Sequence, residues 1–221
     1  MRPYNSLIEL RPREDLDRKW NSNVIVTPDS ALTSADSLTI GERRDAACVL
    51  EVVALGDGSP DCPDMSTVSP GDIVIAPLYA ASKVLVLEKT IHLLAGARTL
   101  AAVIRNLGHP NESIQAINDY VLTREAREDF ERIMHGGLIL PDDYVSDGIP
   151  VDAGTAGIVR ICLERCMSTG GGTFVKRKKW TPKQRAGELL GFNPLASCRF
   201  RRQGTWYRLT PAEDVQFGID G

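Results

Sequence analysis

Cysteine and histidine are scarce in this chain: 221 residues carry five cysteines and three histidines. His92, His109 and His135 stand far apart, and no Ser, Cys or carboxylate with catalytic spacing accompanies any of them, so the chain is not expected to be an enzyme. The cysteines, Cys48, Cys62, Cys162, Cys166 and Cys198, are odd in number and unlike a disulfide framework, which points to free thiols in the reducing cytoplasm. Cys162 and Cys166 are close enough to begin a metal site, but no neighbouring Cys or His completes four ligands. A strand residue followed by a loop residue accounts for that spacing, and neither a metal nor any other cofactor is expected.

Long apolar runs are also missing. Nothing approaches the ~20 residues that a membrane-spanning helix needs, and Met1 to Leu10 lack the apolar core of a secretory signal. No membrane partner is expected. A formal net charge of −3 argues against nucleic-acid binding over the whole surface. One local exception is Lys176-Arg177-Lys178-Lys179-Trp180, with Lys183, Arg185, Arg199, Arg201 and Arg202 further on. Such a patch can hold phosphates and stack a base, although a solvated loop is the commoner meaning of a basic run.

The sequence is rich in short apolar runs that recur in order. Asn5-Ser6-Leu7-Ile8-Glu9-Leu10-Arg11 alternates as a half-buried strand does, and so does Asn118-Asp119-Tyr120-Val121-Leu122-Thr123-Arg124. Apolar triplets beside loop-forming residues come next, Val24-Ile25-Val26 before Thr27-Pro28 and Leu138-Ile139-Leu140 between Gly136-Gly137 and Pro141. A third landmark, Pro70-Gly71-Asp72-Ile73-Val74-Ile75, is echoed by Ala186-Gly187-Glu188-Leu189-Leu190-Gly191. Arg11 and Arg124, Ile25 and Ile139, and Gly71 and Gly187 are separated by 113, 114 and 116 positions, so the register drifts by only three residues.

Each copy holds several Val-, Ile- and Leu-rich runs broken about every ten residues by Gly, Pro, Asp or Ser, which reads as all-β, sandwich or barrel. Strands are expected at 6–11, 48–55, 72–76, 84–88 and 99–104, with counterparts at 119–124, 156–163, 188–192, 197–202 and 214–219. Glu, Ala and Arg give Thr123 to Met134 some helical preference, which the expected fold overrides. Arg105 to Glu112 has linker composition. The division expected is a first unit over 1–106, a linker over 107–116 and a second unit over 117–221.

In that order, the pieces of both halves resemble the GroES family of small co-chaperonins, and the resemblance covers nearly the whole chain. Arg2-Pro3 with the first strand, Val49 to Gly58 leading to a Gly-containing corner, and Pro70 to Ile75 are similar to the family's opening, corner and Gly-Asp strand. His92 to Leu94 with Leu100 to Ile104, and Trp206 to Leu209 with Asp214 to Ile219, resemble its final two strands. The fold this implies is two tandem GroES-like irregular β-barrels joined by a short linker.

The resemblance further implies a partner, a GroEL-type chaperonin ring, and a homo-oligomeric state. In the family a mobile loop docks on the chaperonin through an apolar triplet preceded by two glycines. Gly136, Gly137, Leu138, Ile139, Leu140 and Pro141 match it closely, while Val24, Ile25 and Val26 keep the triplet without the glycines. Two glycines permit backbone angles closed to other residues, so such a segment can turn sharply on binding. The competing expectation is a structural or assembly protein, for example a virion subunit, that uses the same barrel without binding a chaperonin.

Overall fold

A computed structural model of the chain describes residues 2–13, 47–59, 65–77, 83–87, 90–125, 149–152, 158–175, 178–193, 197–203 and 205–219. These residues are mostly β. Strands β1 (Leu7–Pro12), β2 (Ala47–Leu55), β3 (Ile73–Pro77), β4 (Lys83–Leu87), β5 (Thr90–Gly96), β6 (Ala102–Arg105) and β7 (Ser113–Ala116) form one sheet in the order β4-β5-β1-β2-β3-β6-β7. A second sheet contains β8 (Tyr120–Glu125), β9 (Ile149–Asp152), β10 (Ile158–Thr169), β13 (Leu189–Phe192), β14 (Cys198–Arg202), β15 (Thr205–Pro211) and β16 (Val215–Ile219). Its order is β14-β15-β8-β10-β13-β16, with β9 beside β10. Between β10 and β13, β11 (Thr173–Val175) and β12 (Lys178–Trp180) make a small hairpin. All the ladders are antiparallel, and both sheets are open among the described residues.

The two sheets share one design. Replacing β1, β2, β3, β4, β5 and β6 by β8, β10, β13, β14, β15 and β16 turns the first strand order into the second. Registers correspond as well: Leu7 lies opposite Gly96 as Tyr120 lies opposite Pro211, and Ile73 opposite Ile104 as Leu189 opposite Ile219. Each first-strand ladder has a register shift at the same place, between Glu9 and Leu10 and between Cys166 and Ser168. The turn entering β3 and the one entering β13 repeat too. Gly71 and Gly187 take φ of 90° and 94°, a region costly for any residue with a Cβ. The acid after each glycine then accepts a backbone hydrogen bond, Asp72 from Ser69 N–H at 2.8 Å and Glu188 from Arg185 N–H at 2.9 Å.

Strand alternation gives the first sheet two apolar faces. One carries Ile8, Leu10, Leu50, Val74 and Leu93 into a core of its own. The other presents Ala47, Ile73, Ile75, Ala102 and Ile104, which are buried against Tyr120, Leu122, Cys198, Phe200 and Leu209 of the second sheet. The repeats therefore meet through a hydrophobic core, where each fully buried large side chain contributes up to ~1.5–3 kcal/mol. A smaller cluster, Val121, Cys166, Leu190, Phe192 and Ala212, lies within the second repeat.

The stretch 107–116, read in the sequence as a linker, contributes to this junction. Ser113–Ala116 forms β7 on the edge of β6, and the next residue, Ile117, is buried in the first core. Asn118 donates from Nδ2 to the carbonyls of Ala97 and Leu100 at 2.9 and 2.7 Å. Arg202 closes the other side with a two-pronged bond to Glu112, at 2.7 and 2.8 Å.

Candidate functional site

The sequence places its binding residues between β1 and β2 and between β8 and β9. Val24, Ile25 and Val26, and Gly136, Gly137, Leu138, Ile139, Leu140 and Pro141, all lie outside the described residues. The strands from which these two segments depart are β1 and β8, which occupy corresponding positions in the two sheets.

The ground beside the two departure points differs in how its charges are arranged. Next to the first, Arg11 and Arg13 pair with Glu51 at 3.0 and 3.6 Å. At the corresponding positions of the second repeat Arg124 faces Arg165, whose Nη1 donates to the Gly187 carbonyl at 2.8 Å. The base Arg165 thus stands where the first repeat has the acid Glu51, and an acid, Glu125, follows Arg124 where the first repeat has Pro12. Lys178, Lys179 and Trp180 add to the basic character of this repeat, being exposed on the β11–β12 hairpin.

The basic region singled out in the sequence serves several purposes here. Arg202 is engaged with Glu112 at the junction, and the Arg199 guanidinium lies 4.2 Å from the centre of the Trp206 ring. Lys176 and Arg177 lie outside the described residues, as does the side chain of Arg201.

Inside the second repeat lies a polar group that the sequence reading missed. Glu164, with 8% of its side chain exposed, receives a bond from Arg208 Nε at 3.0 Å and one from the Thr123 hydroxyl at 2.5 Å. Arg208 Nη1 donates to Ser197 Oγ at 3.0 Å, and its guanidinium lies 5.7 Å from the centre of the Phe192 ring. The register shows what this group replaces: Thr123, Glu164 and Arg208 occupy the positions held in the first repeat by Leu10, Leu50 and Leu93, each 0% exposed. Carrying the sequence repeat through residue by residue would have exposed three leucines aligned with three polar residues.

The remaining reactive side chains have structural partners. His92 Nδ1 lies 2.5 Å from Oε1 of Glu9, a carboxylate with 1% of its side chain exposed. Cys48, Cys166 and Cys198 are buried. Burial, helped by the Glu188 carboxylate, pushes the Cys166 thiol up to about 11, so it stays protonated and weakly nucleophilic at neutral pH. Among the described residues no three His, Cys, Asp or Glu side chains gather as metal ligands would, and no helix is long and apolar enough to cross a membrane. No known family model matches the sequence, and no curated protein matches it.

Proposed function

We propose that the chain is a tandem co-chaperonin of GroES type, in which two irregular β-barrels cap a cytoplasmic GroEL-type chaperonin ring and assist protein folding. The observation that supports this reading is the duplicated strand order, in which the two triplet-bearing segments follow corresponding strands along the chain. Leu138, Ile139 and Leu140 are the principal contact, with Val24, Ile25 and Val26 the weaker one. Full burial of an apolar side chain contributes ~1.5–3 kcal/mol, whereas ordering a segment costs ~1–2 kcal/mol per residue. One segment alone therefore binds weakly, and a homo-oligomer presenting several gains its affinity through avidity. Release then needs only a modest change in the partner's groove.

The test is binding to a GroEL-type chaperonin with and without ATP, comparing the intact chain with a Leu138→Ala, Ile139→Ala, Leu140→Ala variant. Nucleotide-dependent binding that disappears in the variant is the expected result. No binding under any nucleotide would refute the proposal and favour an assembly protein built on the same strand order.

A further inference from the structure

The basic run has no part in the proposed chaperonin contact. From Arg165 to Gly187 the chain holds no Asp or Glu. The corresponding stretch of the first repeat, Val52 to Gly71, has the opposite character, with Asp57, Asp61 and Asp64 and no Lys or Arg. Both stretches lead to the next strand of the shared order, β2 to β3 and β10 to β13. The positive charge is therefore a property of one repeat and not a demand of the fold.

Much of this stretch is anchored. Gly170 N–H donates to the Tyr120 carbonyl at 2.9 Å and Gly172 N–H to the Asn118 carbonyl at 2.7 Å. Gly172 takes φ of 90°, and a Cβ there would stand 2.2 Å from the Trp180 carbonyl oxygen, so β11 and β12 are pressed together at their base. Thr173, opposite Trp180, is buried. Beyond β12, Gln184 Nε2 donates to the Ala212 carbonyl at 3.1 Å and Arg185 N–H to Glu188 Oε2 at 2.9 Å. Pro182 and Gln184 are half-buried, while Lys178, Lys179, Lys183 and Arg185 are exposed. None of these four cations forms an ion pair among the described residues. The Trp180 side chain stands among them with the residue 37% exposed.

Four cations alone would suit any polyanion. The indole narrows the choice. Lys178 and Trp180, two apart on β12, share one face of the ribbon, so neighbouring groups can hold a phosphate and a flat ring at once. A single-stranded nucleic acid offers both. A duplex keeps its base faces stacked on one another, and an acidic peptide has carboxylates with no ring to stack.

We propose that the β11–β12 hairpin and the segment up to Arg185 bind single-stranded nucleic acid, with Trp180 stacked on an unpaired base and Lys178, Lys179, Lys183 and Arg185 neutralising phosphates around it. Every base has a π face, so the site reads no particular sequence. Because the backbone beneath these side chains is already anchored, little ordering cost opposes binding. The site goes beyond the proposed function and uses none of the residues assigned to the chaperonin.

Anisotropy of a labelled 20-nucleotide oligothymidine titrated with the full chain, with no chaperonin present, tests this. Binding should weaken with salt at a slope near −3 in log K against log salt, from about −0.7 for each of the four phosphates released. Trp180→Ala should raise the Kd roughly 5- to 100-fold, the loss of one stacked base, while Trp180→Phe keeps most of the affinity. Replacing Lys178, Lys179, Lys183 and Arg185 by alanine should abolish binding with an unchanged urea midpoint, since all four are exposed. No binding at 50 mM salt would overturn the proposal. So would affinity indifferent to Trp180→Ala, or equal affinity for a duplex of the same length, polyglutamate or anionic phospholipid vesicles.

Discussion

The buried Thr123–Glu164–Arg208 group gives the sharpest test of the packing, because the molecule supplies its own apolar control. Arg208→Leu would leave Glu164 buried with only the Thr123 hydroxyl, and Glu164→Leu would leave Arg208 with Ser197 and the Phe192 ring. Removing one partner of a buried ion pair typically costs ~3–5 kcal/mol, because the survivor keeps its desolvation penalty without the compensating attraction. At about 2–4 °C of melting temperature per kcal/mol for a chain of this size, either variant should melt roughly 6–20 °C lower. Converting Thr123, Glu164 and Arg208 together to leucine recreates the Leu10, Leu50 and Leu93 arrangement of the first repeat. Exchanging a buried ion pair for well-packed apolar residues is commonly neutral or stabilising by ~1–4 kcal/mol. The triple variant should therefore recover what either single variant loses. Urea denaturation with linear extrapolation reads all three. Single variants losing less than about 1 kcal/mol, or a triple variant as unstable as the singles, would refute the argument.

Two further tests probe the shared design and the junction. Gly56 and Gly170 correspond, and a Cβ at either would collide with backbone carbonyl oxygen, Asn5 O or Asn118 O; Gly171 has open space. Gly56→Ala and Gly170→Ala should each destabilise by about 1–3 kcal/mol while Gly171→Ala does not, and equal melting of all three would contradict the geometry. At the junction, the Arg202 hydrogen bond holds the Glu112 carboxyl below the usual carboxylate range, against the opposing effect of burial. A depressed carboxylate contributes stability above its unfolded value and loses it as pH falls through the folded one. Urea midpoints measured from pH 6 towards pH 3 should thus fall less steeply for Glu112→Gln than for wild type, and parallel profiles would dissociate the ion pair from acid stability.

Much of the strand layout was readable because alternation and turn chemistry coincide in this chain. The expected strand at 72–76 appears as Ile73–Pro77, that at 188–192 as Leu189–Phe192, and that at 197–202 as Cys198–Arg202. The expected run at 99–104 divides into a 3-10 turn, Ala97–Thr99, and the strand Ala102–Arg105, because Leu100 and Ala101 are buried outside any strand. Thr123 continues β8 despite the helix-favouring composition of the residues after it, held by ladders to β10 and β15 on both sides. β7 was illegible, since Ser-Ile-Gln-Ala is too short to display a period and is fixed by the edge of β6. The polar core group stayed hidden for another reason. A charged residue in a strand ordinarily marks its wet face, and only the register against β8 and β15 shows Glu164 and Arg208 pointing inwards.

The junction between the repeats has a consequence for how this sequence can change. When two identical domains meet head to tail, a single gene segment must encode both sides of the contact, so every substitution is felt twice. Covalent succession removes that constraint. Here one copy holds Leu122 and Tyr207 where the other holds Glu9 and His92, and one core is leucine where the other is an ion pair. Duplication followed by fusion thus lets the halves accumulate different mutations while their order along the chain keeps each beside the correct neighbour.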